Sequence, residues 1–167
     1  MTAFADQDIL GQQTGGVFAN LSTTTITLNN NVAETVLLGG AKDTVVTGSV
    51  YAKADTVTGF QVTASAVDPL VVDLTRSDVL KIGVGFTATN AAKMTVTGST
   101  LEAALLQAAG LKDAAGGNVN NVVFHFGGNT YAYVDTGNDG LTDNDQLVAL
   151  SGTLNLDLLL QTGVIIA

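Results

Sequence analysis

The acids that follow residue 134 have the residue types and the spacing of a cation-binding loop. In DTGNDGLTDNDQ, counted from Asp135, Asp falls at loop positions 1, 5, 9 and 11, and Gly140 falls at position 6. Carboxylate oxygens are the ligands that Ca²⁺ prefers, and a Gly at position 6 allows the sharp turn of the EF-hand calcium loop. The segment therefore predicts a calcium site formed by Asp135, Asp139, Asp143 and Asp145.

This loop departs from an EF-hand in its ligands and in its surroundings. Position 3 is Gly137, which offers no side-chain oxygen, and position 12 is Gln146 in place of the bidentate Glu. Strands, and not helices, are predicted on both sides. The prediction is therefore a calcium loop of another type, and the alternative is a solvated acidic surface.

A second set of candidate ligands lies in AETVLLGGAKDTVVTGSVYAKADTVTGF, residues 33–60. An acid, a Thr and a Val recur as Glu34-Thr35-Val36, Asp43-Thr44-Val45 and Asp55-Thr56-Val57. The first step is nine residues (43 minus 34), which is the repeat of the calcium-binding β-roll, G-G-x-G-x-D-x-U-x. The match is partial, because the third Gly is missing and Lys42 brings a positive charge.

This stretch fits two structures equally well. One is a degenerate β-roll or solenoid edge, whose metal ligands are Gly39, Gly40, Asp43 and Asp55. The other is an ordinary meander of Thr- and Val-rich strands joined by Gly turns.

The sequence offers little that favours catalysis, and we expect no enzyme. His125 is the chain's one His, so any Ser-His-Asp scheme needs it, yet it lies between two Phe residues in a predicted strand. The chain has no Trp that would suit a sugar cleft. Gly39-Gly40 leads into a strand, whereas a phosphate-binding loop leads into a helix.

The composition narrows the range of partners. With 15 acids and 6 bases the net charge is −9, which disfavours binding to nucleic acid or anionic lipid. Hydrophobic residues make up 46% of the chain, enough for a folded core, and no apolar run is long enough to predict a membrane span. The chain has no Cys, which fits a cytosolic protein and fits equally a secreted one that relies on metal in place of disulfides.

The elements that position these acids are predicted to be mainly β. Nineteen Gly and one Pro indicate many tight turns. One helix is predicted at about 99–110, with Ser99 as N-cap, Glu102 completing a capping box, and Gly110 as C-cap. A hairpin is predicted to pair residues 122–126 with residues 130–134 around Gly127-Gly128.

Short strands are also predicted at 70–72, 79–82 and 94–98. The whole is predicted to be a single domain, residues 1–167. Residues 17–98 form a short-strand part that resembles a β-roll or solenoid. Residues 99–167 form a β-sheet with the packed helix, the hairpin and an apolar tail. One explanation of the apolar tail is that it docks in the core as a final strand, and the other is that it is recognised while the chain is still unfolded.

Two segments together resemble the C-terminal region of type I-secreted surface proteins, a group that includes S-layer proteins of Gram-negative bacteria and large RTX-type adhesins. One segment is residues 121–150, with FHFGGNTYAYVDTG followed by D-x-D-x-L-V-A-L. The other is ADTVTGF, at 54–60, followed by VVDLTRSDVLKIG. The resemblance extends over roughly residues 22 to 167.

The resemblance implies a non-catalytic C-terminal module for secretion and surface assembly. Such a module is extracellular, belongs to a longer chain, and folds when it meets Ca²⁺ outside the cell. It leaves the cell without an N-terminal signal peptide, and MTAFADQDIL has neither the basic nor the apolar region of one.

The resemblance further implies an uncleaved secretion signal that a type I ABC exporter reads at the C-terminus. Its residues here are Asp157, Leu158, Leu159, Leu160, Val164, Ile165 and Ile166. Self-association, or binding to cell-surface glycan or lipopolysaccharide, would follow at the surface. The alternative function is a free-standing extracellular adhesion domain that binds a glycan or another cell-surface ligand.

Overall fold

Short strands that alternate between two sheets make up the first half of the fold. The computed structural model describes residues 23–83, residue 86 and residues 91–166. In chain order the strands are β1 (Thr25–Thr27), β2 (Thr35–Leu37), β3 (Thr44–Thr47), β4 (Asp55–Thr58), β5 (Val79–Ile82), β6 (Ala91–Met94), β7 (Asn121–Phe126), β8 (Asn129–Val134), β9 (Gln146–Leu150) and β10 (Ile165–Ile166). The helices are a 3₁₀ turn at Tyr51–Lys53, α1 (Leu101–Ala109) and α2 (Leu156–Leu159).

One sheet has four parallel strands and the other has six strands of mixed direction. The four-stranded sheet has the order β1-β3-β5-β10. The six-stranded sheet has the order β2-β4-β9-β8-β7-β6, and only the pairs β9-β8 and β8-β7 are antiparallel. The described residues thus confirm a mainly β protein.

The first residue of the repeated tripeptide holds neighbouring strands together. Thr44 lies between Thr25 and Val79 in the four-stranded sheet, so the residues just before them are also neighbours. The Asp43 carboxylate accepts the Thr24 N–H at 3.0 Å, and the Asp78 carboxylate accepts the Asp43 N–H at 2.8 Å. Each carboxylate therefore bonds the backbone of the strand before it.

Asp55 does the same in the six-stranded sheet. Its Oδ1 accepts the Glu34 N–H at 2.9 Å, and its Oδ2 accepts the hydroxyls of Thr47 at 2.5 Å and Ser49 at 2.8 Å. Because Thr47 belongs to β3, this one buried side chain also links the two sheets.

The third residue of each repeat fills the space between the sheets. Val36, Val45 and Val57 are completely buried in one apolar cluster, together with Leu80 and Leu150. The tail contributes Leu159 and Ile165 to the same cluster, and β10 pairs with β5. The prediction that the tail docks as a final strand is confirmed, although the short helix α2 precedes that strand.

The helix α1 packs on the other face of the six-stranded sheet. Its buried residues Ala104, Leu105 and Ala108 meet Phe124 and Tyr133 in a second apolar cluster. This confirms the helix, but its predicted N-cap was wrong. Thr100 is the N-cap, because its hydroxyl accepts the Ala103 N–H at 3.1 Å, and this shift places Glu102 one position too early for a capping box.

The hairpin of β7 and β8 is confirmed. Its register pairs Phe124 with Tyr131, whose rings stack with centroids 5.4 Å apart. Gly127 and Gly128 have φ of 56° and 83°, so the turn uses two left-handed residues, the conformation that Gly adopts most easily.

Two short strands predicted from apolar runs were placed wrongly. Residues 70–72 lie in a loop that contributes only one isolated bridge, between Ala64 and Val72. The strand predicted at 94–98 ends at Met94 and begins at Ala91. The strand predicted at 79–82 is confirmed as β5, and residues 17–22 of the proposed roll-like part lie outside the described residues.

We predict that Asp55→Ala lowers the free energy of unfolding by about 2–4 kcal/mol, because a half-buried N–H and two buried hydroxyls lose their acceptor. Urea denaturation measures the change. Asp68→Ala is the matched control, since exposed Asp68 accepts only the nearby Leu70 N–H, and we expect it to cost less than about 1 kcal/mol. Equal losses in the two variants would contradict the linking role of Asp55.

Candidate metal centre

Three carboxylates meet where the chain passes from β8 to β9. Val134 and Gln146 are paired in the sheet, so Asp135 and Asp145, the residues just beyond them, emerge side by side. Asp139 comes from the loop between them. One oxygen of each carboxylate lies within 4.8 Å of the other two, while Asp135 and Asp145 are buried and Asp139 is exposed.

The Asp135 carboxylate shapes this loop. Its two oxygens accept the N–H groups of Asp139 and Gly140, each at 3.3 Å. Gly140 has φ of 89° and Asn138 has φ of 54°, so two left-handed residues turn the chain back toward β9. Gly140, which the sequence predicts to lie at a sharp turn, therefore does lie at one.

The Asp145 carboxylate is the most heavily bonded of the three. It accepts the Tyr133 hydroxyl and the Thr142 N–H, both at 2.7 Å, and the Thr136 N–H at 3.1 Å. Burial and the adjacent Asp145 carboxylate raise the pKa of Tyr133 well above its ordinary value of 10. The loop is thus tied through Asp145 to the centre of the six-stranded sheet.

This arrangement can hold a metal ion. The three negative groups repel one another, and a cation between them removes that repulsion. All three offer oxygen ligands, and the exposed Asp139 leaves one side open to solvent. Asp143, predicted as a fourth ligand, is exposed and lies outside this group of three.

The second predicted set of ligands is dispersed. Asp43 directly precedes β3 in the four-stranded sheet, and Asp55 begins β4 in the six-stranded sheet. Both carboxylates accept hydrogen bonds from neighbouring backbone. Gly40 is exposed, with open space above its Cα, and the Gly39 carbonyl accepts the Gln61 side-chain amide at 3.5 Å.

Asp78 belongs with the repeating acids, although the sequence pattern did not predict it. Burial raises the pKa of Asp78, and so does the nearby Asp43 carboxylate, while hydrogen bonds from the backbone N–H groups of Asp43 and Gln61, and the charge of Lys42, offset part of this effect. Asp78 stands 35 residues after Asp43, whereas Asp43 stands 19 residues after Thr24, so the regular interval is broken. The Asp-Val-Leu sequence at 78–80 was the available signal, because it has an acid followed by apolar residues.

The residues assigned to a secretion signal divide between surface and core. Asp157 is exposed and forms an ion pair with Lys93 at 2.6 Å. Leu158, Leu159, Val164 and Ile165 are buried, while Leu160 and Ile166 are half-buried. In the folded state most of this segment is thus inaccessible to a partner.

His125 lies on the exposed side of β7. Its ring Nε2 is 2.8 Å from the carbonyl oxygen of Leu154.

Among the described residues no helix is long and apolar enough to cross a membrane. No protein-family model and no curated protein matches the chain. The resemblance to type I-secreted surface proteins therefore depends on the motifs quoted above.

We predict that Tyr133 resists ionisation in the folded protein. Its raised pKa means that the folded state keeps a proton that the unfolded state loses near pH 10, so stability falls as pH rises above 10. Absorbance at 295 nm should show one of the three tyrosines ionising only as the protein unfolds, and Tyr133→Phe should remove that late step. A late step that persists in Tyr133→Phe would contradict the assignment.

Proposed function

We propose that this chain is a non-catalytic, Ca²⁺-stabilised C-terminal module for secretion and surface assembly in an S-layer or adhesin-type protein. The observation that carries the proposal is the group of Asp135, Asp139 and Asp145 at the junction of two paired strands. Ca²⁺ suits this group better than Zn²⁺ or Cu²⁺, since its ligands are carboxylate oxygens, with no His or Cys among them.

The strand arrangement supports a roll-like interpretation of the first part. From β1 to β5 successive strands alternate between the two sheets, and all their pairings are parallel. Paired residues are 19 apart between β1 and β3 (44 minus 25) and 21 apart between β2 and β4 (56 minus 35). We propose that this regular winding is a degenerate β-roll, in which Asp43, Asp55 and Asp78 bond backbone amides.

The metal centre links folding to the compartment. Without calcium, the repulsion among the carboxylates opposes closure of the 135–145 loop, which lies between β8 and β9. Outside the cell, an ion that binds the closed loop stabilises the whole fold, because both flanking strands lie inside the six-stranded sheet. A chain that stays loose in the cytosol is suitable for an exporter that carries unfolded polypeptides.

We predict that Ca²⁺ raises the melting temperature of the protein. An ion at 100 times its dissociation constant adds about 2.7 kcal/mol to the free energy of unfolding. Asp139→Asn should weaken calcium binding about ten-fold or more, because it neutralises one of the three grouped carboxylates. Isothermal titration and melting curves with and without Ca²⁺ measure both effects.

Asp143→Asn is the matched control for that experiment. Asp143 is an exposed carboxylate of the same loop that lies outside the group of three, so its replacement removes the same charge. We expect it to bind calcium like the unaltered protein. Absence of Ca²⁺ uptake at about millimolar concentration by the unaltered protein would overturn the calcium role, since extracellular modules bind in the range up to about 10⁻³ M.

The secretion part of the proposal concerns residues 153–167. An exporter must read this segment before folding, because Leu158, Leu159, Val164 and Ile165 are buried afterwards. Ile165 and Leu80 face each other in the sheet, and each is almost completely buried. Replacing either one with Asp should therefore damage the fold to a similar extent, while only Ile165 belongs to the tail.

We predict that Ile165→Asp lowers export of a passenger fused to this chain by a type I system, and that Leu80→Asp does not. The amount of fusion protein in the medium, relative to that in the cells, is the measurement. If both variants are exported as well as the unaltered fusion, this strand does not carry the secretion signal. If export falls equally in both variants, the loss of export comes from damaged folding and not from a lost signal.

A further inference from the structure

The exposed apolar side chains of the described residues are concentrated in one loop. The large apolar residues with high exposure are Val67 at 95%, Leu70 at 79%, Leu106 at 58%, Val71 at 47% and Leu74 at 41%. All but Leu106 lie within eight consecutive positions, which we call the loop patch (Val67, Leu70, Val71 and Leu74). Scattered exposed apolar residues are ordinary, whereas a contiguous set marks an interaction surface.

The loop patch lies on an insertion that the sheet does not require. Equivalent residues of β1 and β3 are 19 positions apart (44 minus 25), but those of β3 and β5 are 35 apart (79 minus 44). The extra residues fall within the loop 61–78, between β4 and β5. Val72 of this loop is buried in the core, but the side chains of the loop patch are exposed, so packing in the core does not explain them.

The insertion is held in a defined shape. The Gln161 side chain accepts the Val72 N–H at 2.8 Å and donates to the Leu70 carbonyl at 2.6 Å. The Asp73 carboxylate accepts the Thr75 N–H at 3.0 Å, and Leu74 packs against Gly163. A surface fixed in this way loses little conformational entropy when a partner covers it.

Two bases stand at the root of this loop. Lys42 donates to the Leu74 carbonyl, and Arg76 pairs with Asp73 at 3.2 Å while its side chain stays 63% exposed. Both line a groove of about 460 Å³ together with Gln61 and Thr75. Arg and Lys only donate hydrogen bonds, and each has donors beyond those that face Asp73 and the Leu74 carbonyl, so a partner with acceptors beside an apolar surface fits this place.

The outer face of α1 has the complementary character. Leu106 is the remaining large exposed apolar residue, and exposed Glu102 lies one turn before it on the same face. We call this pair the helix patch (Glu102 and Leu106). It offers one carboxylate and one apolar side chain, which match the bases and the apolar residues of the loop patch.

We propose that the loop patch of one copy docks on the helix patch of a second copy, with Leu70 against Leu106 and Arg76 facing Glu102. This contact joins two different surfaces, so each copy keeps one free surface of each kind. A contact of that type either closes into a ring or continues as an open array. The inference gives a contact to the surface-assembly part of the proposed function, on which it rests.

Sedimentation equilibrium of the full chain, from about 0.01 to 1 mM, tests the contact at the concentrations where a weak interface is populated. The average mass should rise with concentration. Leu70→Ser and Leu106→Ser should each keep the monomer mass, and neither should lower the melting temperature, because both side chains are exposed. An equimolar mixture of the two variants should reach the dimer mass and stop there, since only one intact pair of surfaces remains.

Exchange of charges tests the pairing itself. Arg76→Glu and Glu102→Arg should each lower association, and the two changes combined in one chain should restore it. A matched control is Lys112→Gln, which removes an exposed base away from the loop and should leave association unchanged.

A monomer at every concentration, or association that Leu106→Ser does not affect, would overturn the proposed contact. The latter result would indicate another occupant of the loop patch, such as a second loop or a different protein. The measurement is repeated with and without Ca²⁺, so that the two proposals fail separately. If the protein binds calcium but stays a monomer, only the proposed contact is wrong. If the protein associates but does not bind calcium, only the proposed calcium role is wrong.

Discussion

The fold depends on one repeated interaction, in which an acidic side chain at the start of a strand accepts the backbone N–H of the strand before it. Asp43, Asp55 and Asp78 make this bond from buried positions. A buried carboxylate is costly unless its oxygens are hydrogen-bonded, and here neighbouring backbone and hydroxyl groups supply those bonds. Because the bond forms only when the strands are level, the same acids also fix the register, which is what allows strands of three or four residues to stack.

The Asp residues of this protein therefore have two different roles. In the strand-initiating acids, carboxylate oxygens are occupied by the protein's own amide and hydroxyl groups. In the loop between β8 and β9, Asp139 remains exposed beside the buried Asp135 and Asp145, so the group keeps an open side. Asp135 and Asp145 also accept hydrogen bonds from amide and hydroxyl groups, so it is the meeting of three carboxylates with one exposed member, and not hydrogen bonding or the Asp count, that distinguishes the candidate ligands.

The sequence predicted those features that depend on local patterns. The hairpin follows from alternation around Gly127-Gly128, and the helix follows from its apolar face and from Gly110. The grouping of Asp135, Asp139 and Asp145 was also predicted, because a short loop keeps its residues close. Pairings across long intervals were not accessible. An insertion hid the equivalence of Asp78 with Asp43, and Asp55 was read as a ligand because its partner Glu34 is 21 residues away.

The position of β10 has a consequence for the order of events during synthesis. Ile165 pairs with Leu80, 85 positions earlier (165 minus 80), and the side chain of Gln161 fastens the loop that precedes β5. A ribosome makes the chain from its N-terminus, so the four-stranded sheet lacks an edge strand until residue 165 has left the exit tunnel. Non-local pairing of this kind also forms slowly. The first sheet therefore stays incomplete until residue 165 has emerged, and this delay gives cellular factors time to bind the polypeptide before the native topology closes.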